Sequence, residues 1–476
     1  MAGHDSFLDV LPRGWRYDRL KDVVALRNEK TDAVSAEEDY LELEDLESGS
    51  GRILNRRNTL DVESAVTLFK KGDVLFGKLR PYLEKYYEAE FDGKCTGEIL
   101  AFKPERVASR FLFYCFGSRW LIERCNALAY GAKMPRVSWE KQLSQFNIPL
   151  PPLPEQQRIA AYLDASCAAI DAAVAAKRRQ LETLDALRKS VVHDAVTNGL
   201  DKNAPRMASD SLYLPSVPAH WGIWSLKRCA TILNGYAFDS TTYVEEGIPI
   251  IRIGDVATTI DWTKVKRVSP DVLPELSRFT IERDDILVAL TGATIGKSAL
   301  YRDETLALLN QRVAIFRAWR INSEFLNYVI QTHVFTEPID LLCYGGAQDN
   351  IGKSEVGGIK IPVPPKSEQE RIVCYLNEKT ARFSSLTGAI QTQISILTAY
   401  RKSLIHECVT GQRRVTESPS PGGYGGSEAH WVCRQLSKEI RQLNREPSEK
   451  GGRLKGSGAD GRQPVSAEAD TKRNRT

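Results

Sequence analysis

The sequence predicts an α+β chain made by duplication: a mixed α/β globule and a long helix, then a similar globule and a second long helix. Three observations predict it. The motif Ile148-Pro149-Leu150-Pro151-Pro152-Leu153-Pro154-Glu155-Gln156-Gln157-Arg158-Ile159 returns as Ile361-Pro362-Val363-Pro364-Pro365-Lys366-Ser367-Glu368-Gln369-Glu370-Arg371-Ile372. Each copy opens a long run with helical apolar spacing. Each is preceded by short branched and aromatic runs punctuated by Gly and Pro, the pattern of strands and turns.

Residues 1–147 form the first expected globule, with strand candidates at 73–76 and 98–102. Helical spacing from 110 to 128 runs through Phe111, Tyr114, Cys115, Leu121 and Ile122. Residues 148–199 are the first proline-led helix. Prolines hold the lead-in extended, and Pro154 has its φ preset for a first turn. Glu155 then lies where the helix dipole favours negative charge. Ile159, Leu163, Ile170, Val174, Leu181, Leu184, Val191 and Ala195 form the stripe of a coiled-coil helix. About 40 such residues make a rod of ~60 Å, and Asn198-Gly199 supplies the stop.

Residues 200–217 read as a linker. Residues 218–360 are the second globule, with strand candidates at 248–253, 285–290 and 313–316 and a helix at 324–332. Residues 361–411 are the second proline-led helix, carrying Ile372, Leu376, Phe383, Leu386, Ile390, Ile394, Leu397 and Leu404. Residues 412–476 are rich in Ser, Pro, Gly and charge, cannot bury a core, and are expected to be disordered.

At an offset of 213, residues 148–197 match 361–410 at 21 of 50 positions, against about three for unrelated chains of average composition. The globules repeat more loosely, as Pro12-x-x-Trp15 with Pro218-x-x-Trp221 and Leu20-Lys21 with Leu226-Lys227. Two rods with full-length apolar stripes are expected to pair as an antiparallel coiled coil. That pairing would set the globules at opposite ends, pseudo-two-fold symmetric.

Composition excludes several classes. The 476 residues carry 65 basic and 61 acidic side chains, net +4, so any basic surface is local. No apolar run reads as a membrane span and no secretory signal is visible, so a cytoplasmic protein without membrane contact is expected. The nine cysteines are scattered and His is scarce, which predicts reduced thiols and no metal site. The loop 291–298, Thr-Gly-Ala-Thr-Ile-Gly-Lys-Ser, approaches a phosphate loop but has Thr where the first glycine belongs. His193 and His406 lie at matched helix ends, where capping is the plain reading. No catalytic residues, and no cofactor bound by this chain, are expected.

What remains is recognition. Basic, amide and aromatic side chains on turns suit base edges and phosphates. The first globule offers Lys78, Arg80, Tyr82, Lys85, Lys133 and Arg136. The second offers Thr291, Thr294, Lys297, Gln311, Arg312, Gln348 and Asn350. Arg80 aligns with Gly292 and Lys133 with Ala347, so similar frames carry different edges.

Through the paired motif, the two rods and the Trp15 and Trp221 openings, residues 8–411 resemble the specificity (S) subunits of type I restriction–modification systems. The resemblance implies that each globule is a target recognition domain reading one half of a bipartite double-stranded DNA target, and that the rods are a spacer. It implies docking of two methyltransferase (M) subunits, with restriction (R) subunits joining them. The joint residues Pro151, Pro152, Glu155, Gln156 and Arg158, with Pro364, Pro365, Glu368, Gln369 and Arg371, are the expected joint and docking set. It implies a non-catalytic chain inside a complex that is a site-specific deoxyribonuclease and DNA methyltransferase. S-adenosylmethionine, ATP and Mg2+ are then expected on the partner subunits. The alternatives are a coiled-coil scaffold that does not touch DNA, and a nucleotide-binding enzyme using 291–298. The stretch after Gln412 has no counterpart in the family pattern.

Overall fold

The structure is a computed structural model that describes residues 11–31, 39–58, 66–257, 259–290, 296–344 and 353–415. It comprises two compact units, Met1–Ala169 with Ser403–Thr476, and Ile170–Lys402.

The first unit opens with β1 (Arg16–Arg19), β2 (Val24–Leu26), β3 (Lys30–Thr31), β4 (Asp39–Leu41), β5 (Arg57–Asn58) and β6 (Val66–Phe69). It continues with β7 (Val74–Gly77), β8 (Tyr86–Glu88), β9 (Gly93–Cys95), β10 (Ile99–Pro104), α1 (Ser109–Phe116), α2 (Arg119–Leu128) and β11 (Asn147–Leu150). Helix α3 (Leu153–Asn198) starts here and ends in the second unit. A four-stranded sheet, β2-β10-β7-β8, packs on a five-stranded one, β3-β6-β9-β4-β5. Strand β7 is buried throughout, because alternate residues serve different layers. Phe76 and Phe102 stack on Phe116 of α1 at 4.8 and 5.1 Å. Leu75 and Ala101 join Leu41 and Phe69 of the other sheet.

The second unit contains β12 (Arg206–Ser211), β13 (Leu214–Pro218), β14 (Gly222–Ser225), β15 (Ala230–Asn234), β16 (Tyr243–Val244), β17 (Ile248–Ile251) and β18 (Arg267–Val268). After α4 (Leu273–Leu276) come β19 (Ile286–Ala289), β20 (Ser298–Leu300), β21 (Leu308–Leu309) and β22 (Val313–Ala318). Helices α5 (Ser323–Ile330), α6 (His333–Tyr344) and α7 (Lys353–Gly358) lead to β23 (Lys360–Val363) and α8 (Lys366–Val409). The sheet β15-β22-β19-β20 repeats the topology of β2-β10-β7-β8. Its layers alternate in the same way: Ile286, Val288 and Phe316 face the helices, while Leu287 and Ile315 face Ile251 and Leu309. The expected α+β duplication is therefore present.

The proline-led motif corrects one expectation. Its first residues are a strand, not a lead-in: Ile148 to Leu150 lie in β11, antiparallel to β1, and Ile361 to Val363 in β23, antiparallel to β14. Proline is tolerated because each pair is a two-stranded ribbon with a free edge. The 200–217 stretch is also more ordered than a linker, since β12 and β13 pair as an antiparallel hairpin. Of the expected disordered tail, Gln412 to Val415 are described, and Val415 is buried. Residues 416–476 lie outside the described residues.

The long helices run antiparallel wherever they meet inside a unit. In the second unit Asp171 pairs with Arg401 at 3.3 Å, while Val192, Ala195 and Val196 share a core with Ile372, Val373 and Leu376. In the first, Arg158 near the start of α3 donates to the Val415 carbonyl beyond the end of α8, at 3.0 Å. The stripes are not buried along their whole length. Val174, Leu181, Leu184, Phe383, Ile390 and Ile394 are half-buried, and Leu187 and Leu386 are exposed. Helix α3 also corrects the membrane reading. It contains a window of mean hydropathy 1.5, long and apolar enough by composition to cross a membrane, with 33% of that window buried. The alanine-rich stretch 159–176 supplies that hydropathy with few large apolar side chains.

Candidate nucleic-acid interface

In the first unit two loops meet beyond β7. Arg80 donates its backbone N–H to the Pro135 carbonyl at 2.7 Å, and Val137 donates to Lys78 O at 3.0 Å. Bridges Leu79–Arg136 and Tyr130–Arg136 lock the second loop. A short 3-10 turn, Pro81–Leu83, sits between Arg80 and Glu84, both in the left-handed region at φ 50° and 51°. Non-glycine residues held there carry strain that the surroundings must enforce, and such positions cluster at functional sites. The Arg80 Nε is buried without a hydrogen-bond partner. Tyr82, at the apex, is 53% exposed. Lys78 is half-buried beside it and Lys133 is exposed.

Two candidates in this group are occupied internally. The Lys85 ammonium donates to the Leu46 carbonyl. Arg136 clasps Glu98 through Nε and Nη2, both at 3.1 Å, a hydrogen bond that raises its pKa further. These side chains brace the edge rather than project from it. Tyr130 and Met134, 57% and 47% exposed, project instead. Neither is among the candidates named above, although Tyr130 opens the loop that carries Lys133 and Arg136, and an aromatic before a Gly-containing loop is the available signal.

In the second unit Gln311 and Arg312 are exposed just before β22, and Gln311 donates its N–H to Tyr236 O at 2.9 Å. Tyr236 is exposed and packs edge-on to Phe238 at 5.0 Å. Exposed Arg278 lies over Phe279, whose ring is 5.5 Å from Tyr236. Tyr236 and Arg278 were missed, although Asn234-Gly235-Tyr236 announces a turn with an aromatic. Lys297 is exposed, while Thr291, Thr294, Gln348 and Asn350 lie outside the described residues. The nucleotide-binding alternative fails here. The 291–298 loop joins β19 to antiparallel β20, whereas a phosphate loop needs a helix N-terminus after it.

The expected docking set divides. Gln156 is buried, accepts the Ala108 N–H at 2.7 Å and donates to the Pro151 carbonyl at 2.8 Å. Gln369 does the same with Asn322 N and Pro364 O, both at 2.8 Å. Pro151, Pro364 and Glu368 are buried too. These five hold the joint and have no surface to offer. Glu155 and Arg158 are half-buried against Arg414 and Val415. Pro152, Pro365 and Arg371 are exposed.

Among the described residues no cluster of three or more His, Cys, Asp or Glu could hold a metal ion. The profile of the type I restriction modification DNA specificity domain matches residues 12–183 and again 218–395. The chain belongs to this family. The MjaVIII specificity subunit of Methanocaldococcus jannaschii is 24% identical over 425 residues, covering 85% of this chain and 94% of that protein. The EcoAI specificity subunit of Escherichia coli is 22% identical, covering 80% of each. A chain from a structure concerned with assembly and conformational transition of the type I R-M system superposes with a TM-score of 0.67 at 21% identity. It covers 85% of this chain and all of that one, and it supports the fold. The family's duplicated domain coincides with the duplicated sheet and motif described above.

Proposed function

We propose that this chain is the non-catalytic specificity subunit of a type I restriction–modification complex, reading a bipartite double-stranded DNA target with one edge per globule. The carrying observation is the contrast between frame and edge. Sheet topology, joint strands and the Gln156 and Gln369 clamps repeat, while the exposed side chains at the edges differ. Two equal frames with unequal edges suit two different half-sites. Tethering lets two modest binding events act as one.

Two M subunits are proposed to dock on exposed residues of each unit taken by itself: Pro152 in the first, and Leu187, Leu386, Pro365 and Arg371 in the second. R subunits join through that assembly. S-adenosylmethionine, ATP and Mg2+ belong to those partners, and the complex works in the cytoplasm. The test is selection from a random duplex library with chain and M subunits combined. A split motif with a fixed unspecified gap is expected; no enrichment would leave the scaffold reading in its place.

A further inference from the structure

A second face of the Ile170–Lys402 unit lies at the other end of β22 from Gln311 and Arg312. Arg320 sits between two indoles, its guanidinium carbon 5.5 Å from the ring centre of Trp319 and 5.5 Å from that of Trp224. Arg228 lies 5.9 Å from the Trp224 ring on the same surface. The arrangement is fixed by the backbone, since the N–H groups of Trp319 and Arg320 both donate to Cys229 O, at 3.0 and 3.2 Å. Trp319 is 57% exposed, an unusual position for the largest apolar side chain. Lys227, next to Arg228 in the chain, and Lys360, opposite Ser225 in the β14–β23 ribbon, are both exposed. None of these four cations pairs with a carboxylate among the described residues.

The equivalent face of the first unit is built differently. Glu105 and Arg106 both donate their N–H to Val23 O, at 3.0 and 3.1 Å, which equates them with Trp319 and Arg320. Asp18 faces Ile148 as Trp224 faces Ile361. There three carboxylates are present and each is paired: Asp18 with Arg16 at 2.9 Å, Asp22 with Arg19 at 2.9 Å, and Glu105 with Lys103 at 3.5 Å. Exposed Arg106 and Lys21 match Arg320 and Lys227, but Asp18, Glu105 and Asp22 stand where the second unit has Trp224, Trp319 and Arg228, so the indoles and the added guanidinium belong to the second unit's face alone.

We propose that the Trp224–Arg228–Trp319–Arg320 face is a docking site for an extended acidic segment of a partner polypeptide, one per chain. Carboxylates match guanidiniums in the fork geometry, and Trp and Arg are the residue types that anchor interfaces. A polypeptide fits better than nucleic acid because β14, which carries Trp224, pairs with β23 on one edge only, and no described strand takes the other. The proposal is independent of DNA reading, which uses the opposite end of the sheet.

The test is fluorescence anisotropy with the full chain. The probes are a labelled peptide of alternating Glu and Val, its Lys and Val counterpart, and a duplex without a selected site. The acidic peptide is expected to bind and to quench tryptophan emission. Arg228→Glu with Arg320→Glu should weaken it by at least about ten-fold, with Arg320→Lys intermediate. If that double variant melts early, Lys227→Glu with Lys360→Glu, at exposed positions, serves instead and should weaken binding in the same direction. Equal binding of both peptides, or unchanged affinity in the variants, overturns the proposal. So does duplex DNA that displaces the peptide and shows the same dependence on Arg228 and Arg320, which would assign the face to nucleic acid.

Discussion

Trp221 donates its indole N–H to Glu368 Oε2 at 3.1 Å, inside the joint where the second globule meets the start of α8. His220 Nε2 approaches the same oxygen at 2.8 Å. The matched joint in the first unit lacks this bond. The Trp15 indole N–H is buried without a partner, and Glu155 instead lies 4.0 Å from Arg414. Glu368→Ala is expected to cost about 1.5–3 kcal/mol, because it strands a buried donor. Glu155→Ala should cost under about 1 kcal/mol, as for a loose pair whose guanidinium is exposed. Urea titrations followed by tryptophan emission measure both, and equal costs would contradict the asymmetry.

Gln156 and Gln369 each satisfy one backbone N–H and one carbonyl across the globule–helix joint. Truncation to Ala leaves two buried groups unpaired, each worth about 1–3 kcal/mol. Either variant is expected to lose about 2–4 kcal/mol of stability, and the loss should exceed that of Pro152→Ala or Pro365→Ala at the exposed neighbours. Thermal melts of the four variants check the ranking.

His193 of α3 stacks on His333 of α6 with ring centres 3.7 Å apart. Burial, then repulsion from His333, pushes the His193 pKa down to about 4 from the ordinary 6.5. The unfolded chain therefore takes up this proton first as pH falls. Stability from this site is complete above pH 6.5 and is lost as pH falls from there toward 4. Melting temperatures of His193→Gln should fall less steeply over that window than those of the parent. A parallel pH profile would remove His193 as the source.

Lys133 and Arg136 lie three residues apart but should fail differently. Exposed Lys133 is free to meet a phosphate, so Lys133→Ala should weaken duplex binding across sequences and lower the salt slope by about one. Arg136 holds Glu98 and the loop. Arg136→Ala should lower the melting temperature as well as affinity. Filter binding at several salt concentrations, beside thermal melts, separates the two.

The duplication was legible because the paired motif and helical stripes are local signals, and Leu20-Lys21 with Leu226-Lys227 marked matched turns in the globules. What escaped depends on distant partners. Gln156 was grouped with the docking residues because nothing local shows that Ala108, 48 residues away, donates to it and buries it in the joint. Proline in 148–150 argued against a strand, and only β1 at the chain's beginning gives that strand its partner. Arg136 and Lys85 have the residue types of readers; Glu98 and the Leu46 carbonyl decide that they are braces. The apolar stripes were read as wholly mutual, whereas their centres stay half open.

Gly411, at φ 79°, ends the last helix so close to the first globule that a Cβ there would lie 2.6 Å from Pro12 Cγ. Its unit is drawn from the two extremes of the chain. A ribosome makes Pro12 and Trp15 first and Gly411 some four hundred residues later. At roughly 5–20 residues per second, tens of seconds separate the two. Throughout that interval the indole of Trp15 lacks the surface that covers it, whereas the Ile170–Lys402 unit is one continuous stretch, complete as soon as Lys402 is made. The half begun first is finished last, which makes the N-terminal globule the one most dependent on protection during synthesis.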